Sequence, residues 1–424
     1  MPSTCVIGMI WGDEAKARVV DILSENADIV VRYQGGSNAG HTVIVGSEKF
    51  IFHLVPSGIL RPGKLCVIAN GVVADPELLL QEVEQLESRG VEVCKQLVVS
   101  DRCHMVMPYH KMLDAASEQA KGSSKVGTTL RGIGPCYRDK AGRTGIRAAD
   151  LISPDSLARL LKANLDDVNK VLVRIYGVPP LEFEPMFDKY RALGERMKPL
   201  VRDTVQLLLA ALRDGKRVLF EGAQGSLLDV DFGTYPYLTS SNTTVGGVCT
   251  GTGVPPKMIG EVIGVLKAYA TRVGEGAFPT ELPGKEGLAI QKRGDEFGAT
   301  TGRPRRCGWL DGVAARYAAA INGVDKIAVT KLDVLSGLKT LKVCVAYESN
   351  GSRYETFPGD YRVLETCRPV YEELPGWQEN LSGARKMSDL PKPTRSYLDY
   401  IRRLVGVPIE LVSVGSERSQ VIRA

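Results

Sequence analysis

An α/β fold, with a large and mostly parallel central β-sheet flanked by helices, is predicted by three features of this 424-residue chain. Short apolar runs recur between helical patterns, as βα units require. The first of these runs passes through a tight turn directly into a helix. A stretch around residues 106–213 is helical in pattern almost throughout and reads as an excursion from the sheet. No repeat, low-complexity tract or obvious linker interrupts the chain, so residues 1–424 are read as one domain.

The first strand is expected over residues 5–10, followed by a turn at Gly12 and a helix whose inner face carries Val19, Val20, Ile22 and Leu23. Lys16 stands at the start of that helix. Backbone N–H groups and the positive end of the helix dipole favour an anion there, such as a nucleotide phosphate. The usual Gly-x4-Gly-Lys-Ser/Thr pattern is absent. Asp13 and Glu14 lie inside the loop instead, where a plain phosphate cradle avoids negative charge unless a metal ion or a proton transfer needs it. Chemistry is therefore expected of a carboxylate in this loop.

Strands follow at residues 29–33, 50–54 and 65–69, separated by turns rich in Gly, Asn and Ser. A helix over 76–89 has Asp75 to cap it, Pro76 in its first turn and Gly90 to stop it. Residues 97–100 read as a further buried strand. The helical excursion is broken by a Gly-rich basic segment over 122–147, and strands resume at 218–221, 262–268, 326–331, 341–346 and 409–414. The last helix, 396–405, stops at Gly406 before Pro408.

With 44% hydrophobic and 24% charged residues, the chain can bury a large core. A net charge of +5 with dispersed Lys and Arg gives no nucleic-acid footprint. Nine cysteines without a Cys-x-x-Cys pair or a zinc-like Cys/His cluster are read as reduced thiols. Without a signal-like N-terminus or an apolar segment of spanning length, the expected compartment is cytoplasmic, with no membrane partner.

A second loop, Arg32-Tyr-Gln-Gly-Gly-Ser-Asn-Ala-Gly-His41-Thr, runs from a strand to one of only four histidines. His41 could donate a proton or hydrogen bond to a phosphoryl oxygen, or serve only to cap or pack the loop. Thr330-Lys-Leu-Asp333 ends a strand on a carboxylate able to accept from guanine N1–H and N2, groups that adenine does not offer. Its alternative is a strand-end salt bridge. Arg303, Arg305 and Arg306 crowd a Gly-containing loop suited to carboxylates or phosphates, or to a solvated basic turn.

Gly12-Asp-Glu together with Gln34-Gly-Gly-x-Asn-Ala-Gly-His-Thr resembles the adenylosuccinate synthetase family. Later blocks extend the resemblance along the chain: Thr128-Thr-x-Arg-Gly-Ile-Gly-Pro, Phe220-Glu-Gly-Ala-Gln-Gly, Gly233-Thr-Tyr-Pro, Thr239-Ser-Ser-Asn-Thr, Thr271-Arg-Val-Gly, Thr300-Thr-Gly-Arg-Pro-Arg-Arg and Thr330-Lys-Leu-Asp. The resemblance implies a P-loop-NTPase-related sheet and a GTP-dependent ligation of IMP and L-aspartate. The products would be adenylosuccinate, GDP and phosphate, formed through 6-phosphoryl-IMP in the first committed step of AMP biosynthesis.

The same resemblance implies the site. Asp13 would take the N1 proton so that O6 attacks the γ-phosphate, with Lys16 and His41 as the other catalytic groups. GTP would contact Gly12, Asp13, Glu14, Ala15, Lys16, Ala17, Arg18, Gly40, His41, Thr42, Arg305, Lys331, Leu332, Asp333, Ser413, Val414 and Gly415. IMP and aspartate would contact Asn38, Thr129, Gln224, Thr239, Ala299, Thr300, Thr301, Arg303 and Arg305. Asp13 and the Gly40 carbonyl would hold Mg²⁺, and Arg143 would reach the IMP phosphate across a homodimer interface.

Several positions depart from the family pattern Gln-Trp-Gly-Asp-Glu-Gly-Lys-Gly-Lys: Ile10, Ala15, Ala17 and Arg18 stand at the first, sixth, eighth and ninth places. Leu130 replaces a glycine between Thr129 and Arg131. Ala is harmless at negative φ and costly in a left-handed conformation. Two other functions compete with the ligase: a nucleotide-binding regulatory relative with weak catalysis, and a ligase for a 2-aminopurine nucleotide, against which Asp13 speaks.

Overall fold

The computed structural model describes residues 3–45, 48–122, 125–298 and 302–424. Its main sheet has ten strands: β1 (Ser3–Gly8), β2 (Ile29–Arg32), β3 (Leu65–Ile68), β4 (Leu97–Ser100), β5 (Val201–Arg202), β6 (Val218–Glu221), β7 (Glu261–Lys267), β8 (Lys326–Thr330), β9 (Ile409–Ser413) and β10 (Val421–Arg423). They lie in the order β5-β4-β3-β2-β6-β1-β7-β8-β9-β10. Every pairing is parallel except that of β9 with β10.

Alternating side chains along these strands enter two different cores. Cys5, Ile7 and Val31 pack on one face, while Val6, Val30 and Ile68 pack on the other. Burial on both faces is what lets short, continuously apolar runs serve as parallel strands. From β1 the chain steps out to β2, β3, β4 and β5, returns to insert β6 beside β1, and then builds β7, β8 and β9 on the other side. Strand order thus reverses around β1, and ligands of open parallel sheets bind beyond the strand ends at such a switch point.

Helix α1 (Lys16–Ser24) follows β1, and α2 (Pro76–Glu87) begins where Asp75 accepts from the N–H groups of Glu77 and Leu78 at 3.1 and 3.3 Å. The excursion contains α3 (Pro108–Lys121), α4 (Ile133–Gly142), α5 (Pro154–Arg174), α6 (Phe183–Met197) and α7 (Thr204–Arg213). Two-residue β5 interrupts it, too short and too exposed to leave an apolar signal. The final helix starts at Lys392, earlier than the spacing predicts, because Pro393 falls in its first turn, where a missing N–H costs nothing.

Two expected strands lie outside the main sheet. Glu48–Phe52 pairs antiparallel with His41–Val45 as a separate hairpin. Thr340–Ser349 joins a smaller sheet with Arg368–Pro375, Ser352–Tyr354 and Leu310–Asp311. An alternating run states that one face is buried but not which neighbour it pairs with. Among the described residues no helix is long and apolar enough to cross a membrane.

Candidate active site

A cavity of about 1060 Å³ opens at the C-terminal ends of the parallel strands, lined by the loops after β1, β2, β6, β7, β8 and β9. The loop after β1 is left-handed at Gly12 (φ 86°), Asp13 (φ 61°) and Ala15 (φ 61°). Gly8 permits its close folding: a Cβ there would lie 2.6 Å from Glu14 Oε2 and 2.8 Å from Lys16 Nζ.

Glu14 is 2% exposed and does not line the cavity. Its Oε1 accepts from the N–H groups of Ile10 (3.2 Å) and Gly12 (2.9 Å), and its Oε2 from Lys16 Nζ (2.6 Å). Of the two acidic residues in the loop, Glu14 therefore holds its shape and aims Lys16, leaving Asp13 in the cavity wall. Lys16, at the first turn of α1, faces the cavity with Gly12, Ala15, Ala17 and Arg18.

Asp13 is gripped from both oxygens by Arg305, with Nη2 to Oδ1 and Nε to Oδ2 both at 3.0 Å. Arg305 is in turn anchored on Glu296, Nη1 to Oε2 at 2.7 Å. The fully buried Glu296 also accepts from Lys267 Nζ (2.9 Å) and the Tyr269 hydroxyl, and faces Lys331 Nζ at 3.6 Å. Burial alone would raise the Glu296 carboxyl, but Lys267, Lys331 and Arg305 together hold it at about 2.

His41 Nδ1 meets Glu221 Oε1 at 2.5 Å. Glu221, at the end of β6, is buried and also accepts from the Ser57 N–H and hydroxyl, each at 2.8 Å. Burial raises its carboxyl, and the hydrogen bond from His41 together with the Arg32 charge pulls it below the ordinary value. For His41, burial and Arg32 lower the imidazole pKa, with Glu221 opposing them. Beside Glu221, His41 is thus a neutral ring whose Nδ1–H donates to that carboxylate, leaving Nε2 for a ligand.

A second part of the wall is uncharged. Gln224, left-handed at φ 55°, donates from Nε2 to Asn38 Oδ1 (3.3 Å), and Asn38 Nδ2 donates to Thr239 Oγ1 (3.4 Å). The buried Oε1 of Gln224 has no hydrogen-bond partner among the described residues. Thr129 borders this patch on a loop held by Glu118, which accepts from the N–H groups of Val126, Gly127 and Thr128. Arg303 Nη1 donates to the Gly127 carbonyl at 2.9 Å, joining the arginine loop to it.

Gly40, Thr42, Lys331, Asp333, Ser413, Val414 and Gly415 complete the wall. Burial raises the Asp333 carboxyl, opposed by Lys331 and Arg18. Leu332 turns its side chain into the core, leaving only backbone for a ligand. Arg143 is exposed and does not line the cavity; α4 carries it about 14 Å from Gly134, which does. Ala299, Thr300 and Thr301 lie outside the described residues. Glu221 and Glu296 were missed from the sequence, although both stand in or beside segments singled out there.

Comparison with known proteins gives a consistent result. The family model described as adenylosuccinate synthetase matches residues 5–422. The chain is 54% identical to the adenylosuccinate synthetases of Carboxydothermus hydrogenoformans and Pelotomaculum thermopropionicum, over 100% of its length and 99% of theirs. The fully ligated adenylosuccinate synthetase of Plasmodium falciparum matches with a TM-score of 0.94 at 37% identity, covering 99% of both chains. A cyanophage S-2L succinoaminodeoxyadenylate synthetase bound to dGMP and dATP shares the fold, with a TM-score of 0.61 at 19% identity.

Proposed function

Because the chain belongs to the adenylosuccinate synthetase family, we propose that this cavity joins IMP to L-aspartate at the expense of GTP, yielding adenylosuccinate, GDP and phosphate. One observation carries the reading: Asp13, Lys16 and His41, brought together from the loops after β1 and β2, share a single cavity with the Asn38–Gln224–Thr239 patch and with Asp333.

The hypoxanthine oxygen must become a leaving group before an amine can replace it. Asp13 removes the N1 proton, and the electron pair shifts to O6, which attacks the γ-phosphate. For this, Asp13 exchanges Arg305 for substrate, and Arg305 is freed towards anionic groups while still anchored on Glu296. Lys16 and His41 stabilise phosphoryl oxygens. Added negative charge beside His41 favours its imidazolium, so a ring that is neutral beside Glu221 becomes a donor at Nε2 as well when phosphate arrives. The aspartate amine then displaces phosphate from C6.

Asn38, Gln224, Thr239 and Thr129 hold IMP, and the unpartnered Gln224 Oε1 is an acceptor for it. Arg303 and the loop through Ala299, Thr300 and Thr301 receive aspartate. Asp333 and the turn Ser413, Val414, Gly415 read guanine, with Lys331 alongside. One carboxylate and one carbonyl, from Asp13 and Gly40, would hold Mg²⁺, which would supply neutralisation of phosphate charge there. Arg143, turned away from its own cavity, serves the site of a partner in a homodimer. Nine free cysteines suit a reducing compartment, so we place the reaction in the cytoplasm.

The test is steady-state formation of adenylosuccinate from IMP, aspartate, GTP and Mg²⁺, with dGMP as a competing acceptor. Aspartate-dependent phosphate release with IMP is expected. A clear preference for dGMP would overturn the substrate assignment. Tight GTP and IMP binding without turnover would favour the weakly catalytic relative, the reading to which left-handed Ala15 and Leu130 lend weight.

A further inference from the structure

The turn assigned above to guanine sits at residues 414–420, between the last two strands of the sheet. Among the described residues β10 is a three-residue edge strand paired with β9 alone, so the hairpin by itself gives this turn little rigidity. Arg18 supplies it from outside. Its buried guanidinium donates from Nη1 to Ser413 Oγ (2.7 Å) and the Gly415 carbonyl, and from Nη2 to the carbonyls of Glu417 and Gln420, the last at 3.0 Å. In the reverse direction, Arg418 of the turn grips Asp21 of α1 through Nε and Nη2, both at 2.6 Å.

We infer that Arg18 is a positioning residue for base selection, clamping the turn at 413–420 to the helix that follows the phosphate loop, with Arg418 and Asp21 as the return strap. This rests on the guanine assignment made above. A planar guanidinium reaches two groups of acceptors from two separate nitrogens, whereas a lysine ammonium presents all its donors from one point. Lys, the residue that the family resemblance expects here, cannot make both halves of the clamp. Arg18 also helps to keep Asp333 ionised against burial, so it acts on both groups that would read the base.

Calorimetric titration of GDP and ADP into the full chain and its Arg18→Lys and Arg418→Met variants tests this. Arg18→Lys should lose about tenfold in GDP affinity and much less in ADP affinity, so that the ratio between nucleotides falls. Its KM for GTP should rise by a factor similar to the loss in GDP affinity. Arg418→Met should show the same loss in smaller measure. Equal weakening of both nucleotides, or an unchanged ratio, would overturn the inference and leave Arg18 a purely structural residue. A natural chain that binds GDP no better than ADP would instead refute the guanine assignment, a failure visible before any variant is made.

Discussion

Two parts of the cavity wall meet an incoming ligand in opposite conditions. Around Asp13 the charges are already paired within the protein, Glu14 with Lys16 and Arg305 with Asp13 and Glu296, and Glu221 accepts from the neutral His41 ring. Around Gln224 the described residues form no charge pair, the side-chain bonds are long at 3.3 and 3.4 Å, and a buried acceptor has no partner among those residues. The first region must exchange partners to work; the second can bind without breaking a charge pair. Buried ions are held this way because an unpaired one is far costlier than an unmet amide.

The strongest way to break this contrast is at the exchanging carboxylate. Asp13→Ala should lower kcat about 1000-fold, within the range for loss of a general base, while the chain stays folded, because Asp13 is one-third exposed and packs nothing. Single-turnover phosphoryl transfer to IMP measures this directly. Near-normal turnover would remove Asp13 from the chemistry and leave its bond to Arg305 a structural one.

Glu296 sharpens the same comparison through stability. Its folded pKa of about 2 lies below the ordinary 4.5, so its contribution is complete above pH 4.5 and is lost as pH falls towards 2. The difference corresponds to about 3 kcal/mol. In urea unfolding the natural chain should be more stable than Glu296→Gln at pH 7, and the gap should narrow below pH 4.5. A constant gap would mean that shape, not charge, is what Glu296 provides. In the uncharged region, Asn38→Ala should raise KM for IMP about tenfold with no loss of stability, read from initial rates and a melting curve. A comparable loss of stability would show that this patch, too, is already engaged.

What the sequence disclosed follows the same division. Asp13, Lys16, His41 and Asp333 were legible because each stands in a local pattern at the end of a strand. Strand and helix identities were legible for the same reason, since period and caps are local. Glu221 meets His41 across 180 residues, and Arg18 meets its turn across about 400, so no spacing in the chain announces either pair. Glu14 was expected to contact GTP as part of a phosphate loop; only its burial and its three donors reveal that it builds that loop. The 341–346 strand was visible, but its sheet was not, because pairing is decided by distant partners.

The smallest effects concern the two residues that stand where the family pattern has glycine and the backbone is left-handed, one in each region. Ala15 has φ 61° and ψ 35°; Leu130 has φ 56° and is 50% exposed, so little apolar contact is lost on shortening it. An L-residue in this conformation costs about 1–2 kcal/mol, partly offset by the greater freedom of glycine in the unfolded chain. Ala15→Gly and Leu130→Gly should therefore each stabilise the protein by about 1 kcal/mol, seen as a small rise in melting temperature. Ala17 is the control. It also stands where the family has glycine, but it lies within α1 and is buried, so Ala17→Gly should destabilise by about 0.5–1 kcal/mol. Opposite signs at positions 15 and 17 would show that the loop keeps a glycine-shaped backbone without its glycine. Equal signs would mean that the chain has re-formed the loop around its alanines, and the strain assigned to Ala15 would then be absent.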